Sequence, residues 1–192
     1  MKNIQSSELN ESYAPMQEVE PTPIHTIEPM QLDDTDGVHT LLRAGHLATY
    51  VNEELGVTAE KVDQRFSGST PEERRERNKK RIADPNNQAW VAKDDKQQVI
   101  GFVAPRIEED GTHRLGALYV TKEWQGKGIA HELMAKAIDW LDGEHYDIKL
   151  GVVTYNERAK AFYRKYGFEE VPDSETLFDD LIPEVFMVRK AQ

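Results

Sequence analysis

The 192-residue sequence predicts a mixed α/β domain of the α+β kind, with a mostly antiparallel sheet, one parallel strand–helix–strand unit and helices packed on the sheet. Three observations carry this. Residues 89–92, 99–107 and 115–120 are apolar runs of strand length, joined by the polar turn 94–98 and the tight-turn pair Asp110-Gly111. Residues 128–141 then place Ile129, Leu133, Ala137 and Leu141 on one helical stripe, and residues 148–153 form another apolar strand. A helix that joins two strands of one sheet makes them parallel, with a right-handed crossover.

The remaining elements follow in chain order. Residues 1–23 are rich in Ser, Glu, Asn and Pro and poor in apolar groups, which predicts a disordered tail and leaves 24–192 as the domain. Residues 24–27 suit a short first strand. Helix-start chemistry at 33–37 leads into Val38, Leu41, Leu42, Ala48, Val51 and Leu55 at helical spacing, with Gly56 as the stop. Thr58 is placed to cap a second helix carrying Val62 and Phe66. Thr70-Pro71-Glu72-Glu73 combines a cap, a proline in the first turn and a glutamate three residues after the cap. The helix it opens holds Arg74, Arg75, Arg77, Lys79, Lys80 and Arg81, with Ile82 nearly its only apolar residue. Such a helix is either a solvated surface element or a ligand-binding patch. Residues 156–166 predict a helix ended by Gly167 in the left-handed conformation, and 185–188 a last strand after Pro183.

Composition excludes several classes. There is no cysteine, so there is no disulfide framework, thiolate metal site or cysteine nucleophile. The six histidines show no metal-ligand spacing. No segment approaches the roughly 20 apolar residues of a membrane span, and the first residues lack the apolar core of a secretory signal. These readings predict a cytoplasmic protein with no metal and no membrane association. The net charge of −11 argues against nucleic acid, whose binding needs many cationic contacts, and is compatible with a cationic substrate.

Chemistry concentrates in Leu118-Tyr119-Val120-Thr121-Lys122-Glu123-Trp124-Gln125-Gly126-Lys127-Gly128-Ile129-Ala130. A strand ends, a short turn follows and a helix begins on glycines. Gly126 and Gly128 allow a ligand close to the backbone, and the helix start offers free N–H groups and a positive dipole end, a site suited to a pyrophosphate. Lys127 adds charge at the mouth. Tight packing explains such glycines equally well. The segment is neither a Walker loop nor a dinucleotide fingerprint, since neither glycine spacing is present.

Gln125-x-x-Gly128-x-Ala130 is similar to the Gln/Arg-x-x-Gly-x-Gly/Ala signature of the GNAT superfamily of acyl-CoA-dependent N-acetyltransferases, and Leu118-Tyr119-Val120 resembles the end of that family's fourth strand. About 30 residues on, the stretch from Asn156 through Ala159 and Phe162-Tyr163 to Gly167-Phe168 resembles the second signature, Asn-x-x-Ala-x-x-Phe-Tyr-x-x-x-Gly-Phe. The resemblance is clear over residues 90–171 and weaker over 24–83. It implies helices on both faces of the sheet and a central parallel strand pair splayed apart to hold acyl-CoA. It also implies that the backbone of Gln125, Gly126, Lys127, Gly128, Ile129 and Ala130 holds the coenzyme A pyrophosphate. Leu118, Tyr119 and Val120 would line the pantetheine arm. Asn156, with Ala159, would approach the pantetheine, and Tyr163 would lie near the sulfur as the acid for the leaving thiolate. From the residues alone Asn156 is a helix cap and Tyr163 a core aromatic, and both readings stay open.

The implied reaction is direct attack of a primary amine on acetyl-CoA, which needs no enzyme nucleophile. A small amine or polyamine is the first acceptor class, and a protein N-terminus or lysine the second. A homodimer is compatible with the resemblance. One departure bears on mechanism. Many relatives carry a glutamate base where this chain has Arg114, and a second position that is often acidic is Gly116. His113, Glu108 and Glu109 are the nearest titratable groups in sequence, with Glu108 and Glu109 also readable as exposed turn carboxylates. The missing glutamate keeps a second reading open, a non-catalytic acyl-CoA-binding or sensing module of the same fold.

Overall fold

A computed structural model describes residues 24–192. The tail reading for residues 1–23 lies outside the described residues. In chain order the elements are β1 (His25–Pro29), α1 (Thr35–Tyr50), α2 (Ala59–Ser67), α3 (Pro71–Ala83), β2 (Trp90–Asp94), β3 (Val99–Ile107), β4 (His113–Val120), α4 (Ile129–Trp140), β5 (Ile148–Val153), α5 (Glu157–Arg164), β6 (Phe168–Glu170), β7 (Thr176–Phe178) and β8 (Ile182–Arg189). They build one eight-stranded sheet in the order β1-β2-β3-β4-β5-β8-β6, with β7 also on β8. Its pairs are antiparallel except β4–β5, which is parallel as the crossover requires.

Helices cover both faces. Ile129, Leu133 and Met134 of α4 pack on Ile100, Val103, Leu115 and Leu150 of the sheet. On the opposite face Val38 and Leu41 of α1 pack on Val91, Phe102 and Ala104. A third cluster, Val57, Val62, Val153 and Ile182, fastens the α2 region to β5 and β8. Helix α3 is the surface alternative: it buries no residue, and Arg74 and Arg75 reach Asp36 and Asp33 at 3.1 and 2.9 Å beside the start of α1. Thr70 and Glu73 form the expected reciprocal cap. No helix among the described residues is long and apolar enough to cross a membrane.

Two departures from regular sheet geometry set the site. Val103 of β3 faces Leu118 and Pro105 faces Leu115, so Gly116 and Ala117 together oppose Ala104, a β-bulge in β4. A bulge bends its strand and tightens the local twist. The parallel pairing of β4 with β5 is confined to His113↔Ile148 and Arg114↔Lys149. Beyond those residues the two strands part, and β4 runs on to Val120 paired only with β3.

Some boundaries moved. Helix α1 stops at Tyr50 rather than running to residue 55. Asn52 bridges to Val57, and its side chain accepts the Leu55 N–H at 3.3 Å, so local side-chain bonding replaces the next helical turn. Leu55 consequently faces solvent, and Gly56 ends the resulting 3-10 turn with φ 70°. The short strands β6 and β7 are additions, and β8 starts three residues before 185.

Candidate active site

Where β4 ends, a 3-10 turn of Lys122–Trp124 leads to Gln125, whose N–H donates to the Lys122 carbonyl at 3.3 Å and whose side-chain amide donates to the Val120 carbonyl at 3.1 Å. The strand end is thereby fixed, and the open donors begin at Gly126. Gly126 and Gly128 have φ of 80° and 91°, in the left-handed region that favours glycine. A Cβ at Gly126 would have no neighbour within 4 Å, and one at Gly128 only the Glu132 carboxylate at 3.8 Å. Packing therefore does not require these glycines, and the space above the turn is clear. Ile129 and Ala130 are the first residues of α4, where backbone N–H groups have no partner within the helix. Lys127 extends its ammonium 4.9 Å from the Trp124 ring at the mouth. The shape and polarity of this turn fit a pyrophosphate.

Leu118 and Val120 send their side chains into the α4 core, while Tyr119 packs on the α1 face. Asn156 caps α5: its side-chain oxygen accepts the Ala159 N–H at 3.1 Å, and Ala159 packs against the α4-side core. Tyr163 sits in α5 between Phe162 and Phe168, with ring centroids at 5.8 and 6.0 Å. Its hydroxyl has no hydrogen-bond partner among the described residues, and burial, then the nearby Tyr50, push its pKa well above the ordinary tyrosine value.

On the α1 side Tyr119, singled out in the sequence, joins an aromatic group whose assembly the sequence did not reveal. The hydroxyls of Tyr50 and Tyr119 are 3.0 Å apart, and Tyr155 donates its hydroxyl to the Tyr50 carbonyl at 2.5 Å. His46 stacks within 4.5 Å of Tyr50 and 5.3 Å of Tyr119, centroid to centroid. Burial, then the charge of Arg65, lower the His46 pKa to about 4, so the ring is neutral. Arg65 lies over Phe178 at 4.3 Å and pairs with Asp179 at 2.8 Å, which ties the β7–β8 turn to α2.

The sequence profile of the acetyltransferase (GNAT) family matches residues 57–168, more than half of the chain. The chain belongs to the GNAT acetyltransferase family. It is 35% identical over 89 residues to the N-acetylaspartate synthetase of Xenopus tropicalis, a segment covering 45% of this chain and 32% of that protein. The matched segments span 32% to 56% of the curated relatives' own length. Among solved structures it resembles a GNAT acetyltransferase from Streptococcus pneumoniae, with TM-score 0.67 and 19% identity, over 88% of this chain and 100% of that one. It also resembles the spermidine N-acetyltransferase from Vibrio cholerae in complex with CoA and spermine, with TM-score 0.63 and 22% identity, over 85% and 94% of the two chains. These structures share its fold.

In this GNAT domain the titratable groups nearest in sequence to the family's base position are engaged elsewhere. Arg114 places Nε 2.7 Å from Glu108 as an ion pair, and Glu108 accepts a hydrogen bond from Arg106 at 2.8 Å. Burial raises the Glu108 pKa, but the two guanidinium groups outweigh it and leave the carboxyl below its usual range. His113 is buried, with Nδ1 2.5 Å from the Leu141 carbonyl and its ring stacked on Tyr146 at 4.2 Å, so it holds the end of α4. Glu109 is exposed in the turn. A side chain at Gly116 would begin 2.9 Å from the Ala104 carbonyl oxygen, so the bulge has no room for an acid there. The carboxylate that does reach the parted strands is Glu184 of β8, which pairs with Val153 and lays its side chain across Gly151. The one sequence signal for it was Gly151, a glycine inside an apolar strand, which marks a close approach by another group.

Proposed function

We propose that the chain transfers the acetyl group of acetyl-CoA to a primary amine, forming an amide. The observation that carries this reading is the parted β4–β5 pair that runs into a left-handed glycine turn at the start of α4. Membership of the GNAT family supports it. The N–H groups of residues 126–130 hold the pyrophosphate and Lys127 adds a cation at its edge. The free edge of β4 at residues 118–120 lies along the pantetheine, and the side-chain amide of Asn156, whose oxygen is occupied by the α5 cap, offers its N–H groups to the same arm. Bound acetyl-CoA supplies an activated thioester. The Tyr163 hydroxyl, unpartnered and held protonated by burial, donates its proton to the leaving thiolate.

A small amine or polyamine is the favoured acceptor, with a protein N-terminus or lysine second. The hydroxyls of Tyr50 and Tyr119 near the half-buried Glu184 carboxylate suit a cationic acceptor, and the net charge of −11 draws one in. The similar structure holding spermine is in keeping with that class. The test is thiol release from acetyl-CoA over a panel of polyamines, small amines and peptides. Turnover with an amine is the expected result, and tight binding without turnover on any amine favours the sensing module instead. Calorimetry tests the cradle separately. Gly128→Asp adds a side chain and a negative charge at φ 91° and should abolish acetyl-CoA binding in a folded protein. Unchanged affinity would place the cradle elsewhere.

A further inference from the structure

We propose that Glu184 is the general base of this site, its carboxylate taking the proton that the acceptor amine loses as it attacks. The inference rests on the acetyltransferase reading above. Its ground is topology. Strand β8 lies beside β5, with Val153↔Glu184 and Gly151↔Phe186 in register. Side chains alternate along β5, so Ile148, Leu150 and Val152 face the α4 core while Lys149, Gly151 and Val153 face the α2 side. Gly151 has no side chain, and Glu184 fills the gap: Oε2 would lie 2.6 Å from a Cβ built there. Gly151 stands two residues beyond Lys149, the last β5 residue paired with β4, so the carboxylate lies on the floor of the opening where the strands have already parted. Tyr163 belongs to the α4 face and Glu184 to the opposite one, so acid and base flank the gap.

The surroundings suit a base. Glu184 is half-buried and has no hydrogen-bond or ion-pair partner among the described residues. Near it stand Tyr50 from α1, Arg114 from β4 and Lys149 from β5, and the same Tyr50 also feels Arg65 from α2 and Asp179 from the β7–β8 turn. Arg65 is occupied by Asp179 and Arg114 by Glu108, while Lys149 lies 3.9 Å over the Phe186 ring. Burial raises the Glu184 pKa, and Arg114 and Lys149 act against that rise. A carboxyl whose pKa is raised is a better proton acceptor than an ordinary one. His46, neutral and titrating at about 4, is the weaker candidate.

In the step, the amine lone pair forms the C–N bond at the acyl carbon and the C–S bond breaks. The nitrogen becomes acidic as that bond forms, and its proton passes to the Glu184 carboxylate. The thiolate takes the Tyr163 proton. Solvent then removes one proton from Glu184 and returns one to Tyr163, which balances the cycle.

The experiment compares wild type, Glu184→Gln and Glu184→Asp with the best amine from the panel, over pH 6–10. Glu184→Gln keeps shape and removes only the basic oxygen. Its kcat should fall about 10²-fold at neutral pH, within the usual worth of a positioned base. Its log kcat should climb with pH toward the amine pKa near 10 as solvent base substitutes, whereas wild type levels off earlier. Glu184→Asp should keep part of the activity, and acetyl-CoA affinity should not move in either variant. A kcat within threefold of wild type overturns the assignment, as does a raised amine KM with kcat unchanged, which makes Glu184 a binding group. Wild-type protein that turns over no amine overturns the acetyltransferase reading and this inference together.

Discussion

Replacing Tyr163 by Phe removes one oxygen and leaves everything the ring touches in place. The ring lies edge-on between Phe162 and Phe168, and the hydroxyl has no partner to lose among the described residues. Stability should therefore change by less than about 1 kcal/mol, since no internal hydrogen bond is broken. The rate is a different matter. A positioned acid is worth about 10²–10⁴-fold. Burial and Tyr50 hold the Tyr163 pKa well above the ordinary tyrosine value, so it remains protonated through the working range but is a weaker acid than the thiol it protonates, whose pKa is near 8.5. Full transfer is uphill, and water can substitute in part, which places the loss at the low end. The expected fall in kcat is about 10²-fold, or about 2.7 kcal/mol of transition-state stabilisation. The KM for acetyl-CoA should move little, because the interaction forms as the thiolate departs. Steady-state thiol release by both proteins with the best amine, with thermal melts alongside, makes the comparison. A kcat within threefold of wild type refutes the acid role and leaves Tyr163 as packing.

Gly45→Ala should destabilise the domain by about 1–3 kcal/mol, because a Cβ there overlaps the Tyr119 ring under α1 and must displace it from its 3.0 Å contact with Tyr50. A melting temperature unchanged within a degree would show that α1 does not press on Tyr119 as described. His46 is held neutral down to about pH 4, whereas in the unfolded chain it titrates near 6.5, so between those values the unfolded chain binds the extra proton. Its contribution is intact above about pH 6.5 and is lost as pH falls toward 4, by up to roughly 3 kcal/mol. Urea midpoints at pH 7 and pH 5 should therefore lie further apart for wild type than for His46→Phe, and equal gaps would contradict the buried neutral ring.

Much of the fold was legible because its signals are local. The reciprocal cap at Thr70 and Glu73, the stripe of Ile129, Leu133 and Ala137, and the apolar run 148–153 each depend on neighbours a few residues away, and each element formed where expected. The end of α1 was misplaced because Asn52 and Val57 pair with each other, a competition that periodicity does not register. Strands β6 and β7 are three residues each, too short to carry an alternating pattern, and they exist because β8 offers edges for pairing.

The sequence by itself determined the glycine turn, the helix it opens and the pairing of two motifs about 30 residues apart. Those features require only particular residue types at fixed spacing: left-handed φ at Gly126 and Gly128, an amide at Asn156 and a hydroxyl at Tyr163. Tertiary structure alone decided where the sheet opens and which groups face the opening. The bulge at Gly116 and Ala117 arises from β3 and β4 being out of step by one residue, a property of the pair and not of either strand. Glu108 is paired with Arg114 and Arg106, and His113 with the end of α4, so proximity in sequence to the family's base position yields no free proton acceptor. Glu184 lies more than 50 residues beyond the glycine turn and reaches the gap only because β8 inserts beside β5, where Gly151 leaves space for a carboxylate. Residue types at a fixed local spacing are legible in the sequence, whereas Glu184 is brought to the gap by long-range strand order.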